Sequence, residues 1–322
     1  MKQNSKSIIF ILMMMLVYVL LARLGIYHTG GIILFPILSA PLAVYLIKKQ
    51  LTQGVDFLFN IAIIIGIYLL TNSVQSVLIY IISVSIPAYA AAFFYKKEVP
   101  LPNMIMYVSI SVAGAIFIYL GVMKSLGIDY EAQFILLVDE IKGVYFNVLE
   151  TIARPASTEN ILEQSIMKEL ITAITDTIKK VYPALILTAG VFLSSIQVIL
   201  LNIVLRSKGT KLLSLKQLFN FKLSKIAVLI LFIAMIIPLS RNQVNDITSI
   251  LSLNVLFFLQ NLMQVMGIIS IIVLLRRATV HNAFKVLGYM ILFILLIMPT
   301  NILMMFGCFD TLFNYRKAQI IV

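Results

Sequence analysis

Residues 247–277 read ITSILSLNVLFFLQNLMQVMGIISIIVLLRR. Twenty-nine residues pass without a charge before Arg276 and Arg277 close the run. At about 1.5 Å per residue a helix of this length reaches about 43 Å, more than the ~30 Å hydrocarbon layer of a bilayer. The stretch is therefore a membrane-crossing helix with basic residues at one end. Its four amides, Asn254, Gln260, Asn261 and Gln264, fall within about one third of the helix circumference at 100° per residue. Amides in lipid must find partners, so this face points into a helical bundle. There it serves interhelical hydrogen bonding or binds a polar ligand.

Eight further apolar segments extend the pattern outward: 8–24, 31–47, 57–71, 74–95, 104–123, 182–205, 226–239 and 286–306. The third and seventh of the nine are short for a crossing of about 20 residues and borrow from their flanks. The composition agrees, with 61% hydrophobic and 12% charged residues, where a soluble domain carries about 25% charged. The expected fold is all-α, a polytopic transmembrane bundle of eight or nine spans. Lys2 and Lys6 precede the first apolar run, and no small-residue cleavage site follows it, so it is expected to remain as an uncleaved helix.

The loops set the orientation. With the N-terminus cytoplasmic, fifteen Lys and Arg fall on the inner side against Asp56 and Glu98, and ten basic residues face eleven acidic ones outside. This is the positive-inside bias, and it accounts for the net charge of +12 without a nucleic-acid partner. Nine crossings, however, place Arg316 and Lys317 outside. Eight crossings, or a terminal helix that does not fully cross, remove that conflict. The loop Arg206–Lys225 holds six basic residues and no acidic one. It acts as a topology determinant or attracts anionic headgroups.

The connection from Lys124 to Val181 is too long for a turn. It carries nine acidic and six basic residues. Phe134, Val138, Ile141, Tyr145, Val148 and Ile152 recur at helical spacing, as do Leu162, Ile166, Leu170, Ile174 and Ile178. An external amphipathic hairpin over residues 125–181 is expected, turning near Pro155 with its stripes buried against each other or on the membrane surface, and serving as a lid, a docking module or a packed extension of the flanking spans. The organisation expected is a six-helix membrane bundle over 1–206, interrupted by this hairpin, and a second part over 207–322 with the basic loop and two to three more spans.

No span holds a charge near its middle, which argues against a proton-coupled pump. Two separated histidines, His28 and His281, and the single Cys308 form neither a metal cage nor a nucleophile–base pair. No phosphate loop is present. The chain is expected to be non-enzymatic, with no catalytic residues, no metal and no cofactor; chemistry near Asp310 and Arg316 would be the one foothold for an enzyme, and an ion pair at the membrane edge serves equally. Asn60, Ser194, Ser195, Gln197, Asn202 and Asn301 are weaker polar candidates. Pro36, Pro41 and Pro87 should kink the second and fourth spans.

Val181-Tyr182-Pro183-Ala184-Leu185, Asn254 with Gln264 and Gly267, and the ending Gly307-Cys308-Phe309-Asp310-Thr311-Leu312-Phe313-Asn314-Tyr315-Arg316-Lys317 together resemble the YybS-type predicted membrane proteins of bacteria. The resemblance implies Pro183, Gly267, Gly307, Asp310 and Arg316 as family positions. It also implies a distant similarity to the substrate-binding subunits of energy-coupling-factor importers and to MreD-type envelope proteins, six-helix bundles with both ends cytoplasmic. The first span lacks the small-residue pair with which the importer subunits dock their partner. Two functions follow as expectations. One is a ligand-binding or transport-associated protein of the cell membrane, its partners the lipid bilayer, a small molecule and a membrane protein. The other is an envelope or morphogenesis scaffold.

Overall fold

The computed structural model describes residues 2–24, 31–48, 53–153, 159–207, 216–219, 221–240, 247–277, 281–297, 301–314 and 316. Every regular element among them is a helix. In chain order these are α1 (Lys2–Arg23), α2 (Gly31–Lys48), α3 (Gln53–Thr71), α4 (Val74–Lys96), α5 (Leu101–Ser125), α6 (Tyr130–Ala153), α7 (Glu159–Lys180), α8 (Tyr182–Ser207), α9 (Lys225–Ser240), α10 (Ile247–Arg277), α11 (Asn282–Ile297) and α12 (Ile302–Phe313). Lys216–Phe219 adds a single turn. Four of them, α4, α5, α8 and α10, are long and apolar enough to cross a membrane; a fifth crossing results if α11 and α12, bent by 113°, count as one. Shorter apolar helices lie in α1, α2, α3 and α9. The third apolar segment does borrow from its flank, reaching back to Gln53, whereas α9 stays at 16 residues.

The chain divides into two compact units, 1–122 with 189–218, and 123–188 with 219–322. In the first, α1 packs on α3 and α2 on α4. Ser73 starts α4 by accepting from Ser76 N–H at 3.2 Å, the usual service of a serine at a helix N-cap. Asn72 ends α3 in the left-handed region, φ 48°. Around Pro87 the helix widens instead of simply kinking: Ile81–Ser85 form a π turn in which Ile86 N–H reaches the carbonyl of Ile81. Proline cannot donate to the carbonyl four residues back, and a π turn just before it rephases the ladder. There Asn60 donates to Ser85 Oγ at 2.7 Å and accepts from Tyr80 OH at 3.0 Å. The rings of Tyr80 and Tyr18 meet edge to face at 5.7 Å, and Tyr18 OH donates to the carbonyl of Leu38 at 2.6 Å.

In the second unit α9, α10 and α12 enclose a core of Val228, Leu231, Met263, Met304 and Cys308. Helices α6 and α7 form the expected hairpin. They are antiparallel, because Glu150 pairs with Lys168 at 2.7 Å and Asp139 with Lys179 at 2.5 Å. The turn near Pro155 lies outside the described residues. The stripes are not buried against each other within the chain. Ile141, Leu170 and Ile174 are 45%, 53% and 57% exposed, and Tyr145, Val148 and Ile166 are exposed too. Of the α6 stripe Val138 is buried, as is Thr175 on α7, and Phe146 lies under Lys168 of α7. Alternation at helical spacing showed an apolar stripe but not which neighbour would cover it.

Candidate functional site

Asn254, Gln260, Asn261, Gln264, Pro183, Gly267, Gly307, Asp310 and Arg316 all lie in the second unit, whereas Ser194, Ser195, Gln197 and Asn202 lie in the first. Asn254 stands on α10 beside the junction of α7 and α8. Its Nδ2 donates to the carbonyls of Lys180 (2.8 Å) and Ile250 (2.9 Å), and its Oδ1 accepts from the N–H of Ala184 at 3.0 Å. Helix ends leave orphan carbonyls and N–H groups. Here one amide on a third helix serves the last carbonyl of α7 and a first-turn N–H of α8. Pro183, in the first turn of α8, has no N–H to be satisfied.

Gln260 donates to Asn301 Oδ1 at 2.8 Å. Asn261 turns back to the carbonyl of Phe257 at 2.7 Å. Gln264, one turn further, is half-buried. The amides of Asn254, Gln260 and Asn261 thus bond within the protein, tying α10 to the α7–α8 junction and to the start of α12.

Gly267 and Gly307 lie where α10 and α12 touch backbone to backbone. A Cβ on Gly267 would collide with the carbonyl oxygen of Leu303, and one on Gly307 with that of Met263. Small residues allow such approach between membrane helices, which explains why both positions are glycine. Thr311 adds a contact to the sulfur of Met263 at 3.8 Å. Gln260 meets Asn301 at one end of this contact, and Arg277 donates to the carbonyl of Arg316 at the other. The start of α12 thus lies beside the middle of α10, and Arg316 beside its end.

The chain ending is a clasp. Asn314 closes α12 in the left-handed conformation, φ 54°, which asparagine tolerates better than most residues. The reversal brings Arg316 back onto Asp310, Nη2 to Oδ2 at 2.6 Å, with the side chains 3% and 0% exposed. Arg316 also donates to the carbonyls of Phe219 (2.8 Å) and Phe221 (2.7 Å), while Arg276 covers the Phe219 ring at 4.6 Å. Asp310 Oδ1 and Arg316 Nε have no hydrogen-bond partner among the described residues. The pair holds the end of the basic loop to the ends of α10 and α12. Arg277, Arg276 and the two phenylalanine carbonyls carry no sequence signal for this, being about 40 to 100 positions away from Arg316.

Between the start of α8 and helices α9 and α10 lies an open cleft of about 680 Å³, lined by Pro183, Leu187, Ile230, Ile250, Asn254 and Phe258 among others and almost wholly apolar. Asn254 contributes to the wall, but its amide atoms are already engaged.

Among the described residues no group of three or more His, Cys, Asp or Glu could hold a metal ion. Long apolar helices tied by hydrogen-bonded amides and close glycine contacts make a helical membrane protein of several spans. Residues 7–311 match the family described as "Predicted membrane protein (DUF2232)", and the chain belongs to that family. Neither the curated proteins nor the solved structures gave a match.

Proposed function

We propose that this chain is a non-enzymatic protein of the bacterial cell membrane, N-terminus cytoplasmic, that holds a lipid-like molecule in the cleft between α8, α9 and α10 and is associated with transport. The cleft carries this reading. Its volume of about 680 Å³ lies in the usual range of small-molecule sites, about 300–1,000 Å³, and its walls favour an apolar chain. A polar ligand on the amide face has less support, because Asn254, Gln260 and Asn261 already bond within the protein. The YybS-type resemblance and the distant likeness to importer subunits are compatible with such a role. The test is native mass spectrometry of the protein extracted from its membrane. One lipid-like molecule retained per chain is expected, with retention falling at least tenfold in Leu187→Trp, which fills the cleft. Equal, non-stoichiometric lipid on both proteins would overturn the reading.

A second reading, an envelope scaffold, draws on a different observation: the uncovered apolar face of the α6–α7 hairpin. Partners recovered by cross-linking through the hairpin, with an empty cleft, would favour it.

A further inference from the structure

We infer that the α6–α7 hairpin is a self-association module, pairing with the same hairpin of a second copy as a four-helix bundle. On α6, Leu137, Ile141, Val144 and Val148 follow one another at spacings of four, three and four, the a/d pattern of a helix that packs on another helix. They are 45–62% exposed. At 100° per residue this stripe lies about 120° from the side of α6 that Val138 and Phe146 turn toward α7. On α7, Leu170 and Ile174 stand about 120° from the side of Thr175, in the same rotational sense. In an antiparallel pair, equal offsets of equal sense put both stripes on one side of the hairpin. The ion pairs Glu150–Lys168 and Asp139–Lys179 fall on the opposite side by the same reckoning. The hairpin therefore has a charged face, an apolar face, and a seam between them, as half of a four-helix bundle does.

Three observations select a second copy over lipid. Neither α6 nor α7 is apolar enough to be a crossing, so hydrocarbon does not solvate the stripe. The connection carries nine acidic residues against six basic ones, whereas helices that lie on anionic membranes are rich in Lys and Arg. Between Leu137 and Val148 Asp139 and Lys142 turn away from the stripe and Glu140 lies at its edge, so the centre of the face carries no charge to repel a second copy. About ten half-exposed apolar side chains offer on the order of 800 Å² per copy, which is what a stable specific interface buries on each side. Two-fold pairing is the commonest closed arrangement.

The experiment uses the full chain in its native membrane on a Cys308→Ser background. Val144→Cys places a thiol in the stripe. Gly143→Cys places one on the charged side, where a Cβ meets nothing within 4 Å. A short bis-maleimide should trap a covalent dimer of twice the chain mass through position 144, at least tenfold more than through 143. Absence of dimer at 144, equal trapping at both positions, or an adduct of another mass would overturn the proposal. In detergent, Ile141→Glu with Leu170→Glu should halve the particle mass without loss of helix content; an unchanged mass would count against the assignment. The protein has no tryptophan, so Tyr145→Trp is a lone reporter. Its fluorescence should survive brominated lipids, and strong quenching would give the stripe to the membrane instead.

Discussion

Gly267 and Gly307 have no room for a methyl group, because the obstacle at each is backbone carbonyl oxygen rather than a movable side chain. Gly267→Ala or Gly307→Ala should lower stability by about 1–3 kcal/mol, the usual cost of overpacking, read as a lower thermal unfolding midpoint in detergent. Asp310 and Arg316 test a different principle. Removing one member of a buried pair strands the other charge, at a cost of about 3–5 kcal/mol, whereas replacing both with apolar side chains is often close to neutral. Arg316→Ala should therefore reduce abundance sharply. Asp310→Leu with Arg316→Met should recover part of it, though the double variant still leaves the Phe219 and Phe221 carbonyls without their donor. Asn254→Ala removes one side chain that serves two helix ends. About 1–3 kcal/mol is expected for the groups left unsatisfied, seen as faster protease cleavage near the junction of α7 and α8.

At the scale of the element, the hairpin gives the clearest departures from simple pattern reading. Its stripes are uncovered within one chain, so Ile141→Asp or Leu170→Asp should leave helix content and protease resistance of the single chain unchanged. A fall in helix content would mean the stripe is packed after all. The start of α6 is held by Asp129, whose carboxylate accepts from Ala132 N–H at 3.0 Å and pairs with Lys124 at 3.0 Å. That backbone hydrogen bond, followed by the one from Lys124, lowers the Asp129 pKa below its ordinary 3.8. A carboxylate with a lowered folded pKa stabilises fully above its unfolded value and loses that contribution as pH falls through the folded value. Hydrogen exchange in the first turn of α6 should thus be flat at neutral pH and accelerate, relative to the rest of the helix, below about pH 4. Asp129→Asn should remove that acid-specific acceleration.

On the scale of the whole molecule, the clasp bears on the path of the chain end. Arg316 holds the carbonyls of Phe219 and Phe221, and Arg277 holds that of Arg316. Helix α12 starts beside Gln260, near the middle of α10, and α11 and α12 are bent by 113°. Together these favour α11–α12 as a re-entrant pair that enters and leaves by one face, over a single broken crossing. Irregular backbone at membrane depth is tolerated where protein or water satisfies it, and Gln260 ties the Asn301 side chain at the start of α12 to α10. On a Cys308→Ser background, single cysteines at positions 276 and 317 should label from the same side of the membrane. Labelling from opposite sides would restore the nine-crossing arrangement.

Read alone, the sequence established that this is an all-helical membrane protein, since runs such as 247–275 have no stable place except lipid. It located the hairpin, because amphipathic stripes and fifteen charges cannot sit in hydrocarbon. It also singled out Asn254, an amide where an apolar side chain would be the default, while the family resemblance pointed to Gly267, Gly307, Asp310 and Arg316. Only the tertiary structure decided what they do. That Asn254 joins two other helices, that two glycines 40 positions apart face each other, and that Arg316 reaches back nearly 100 residues to Phe219 are matters of which surfaces meet. The stripe on α6 shows the same limit. Periodicity fixes the direction in which a side chain leaves its helix, but what lies in that direction depends on the packing of the other helices.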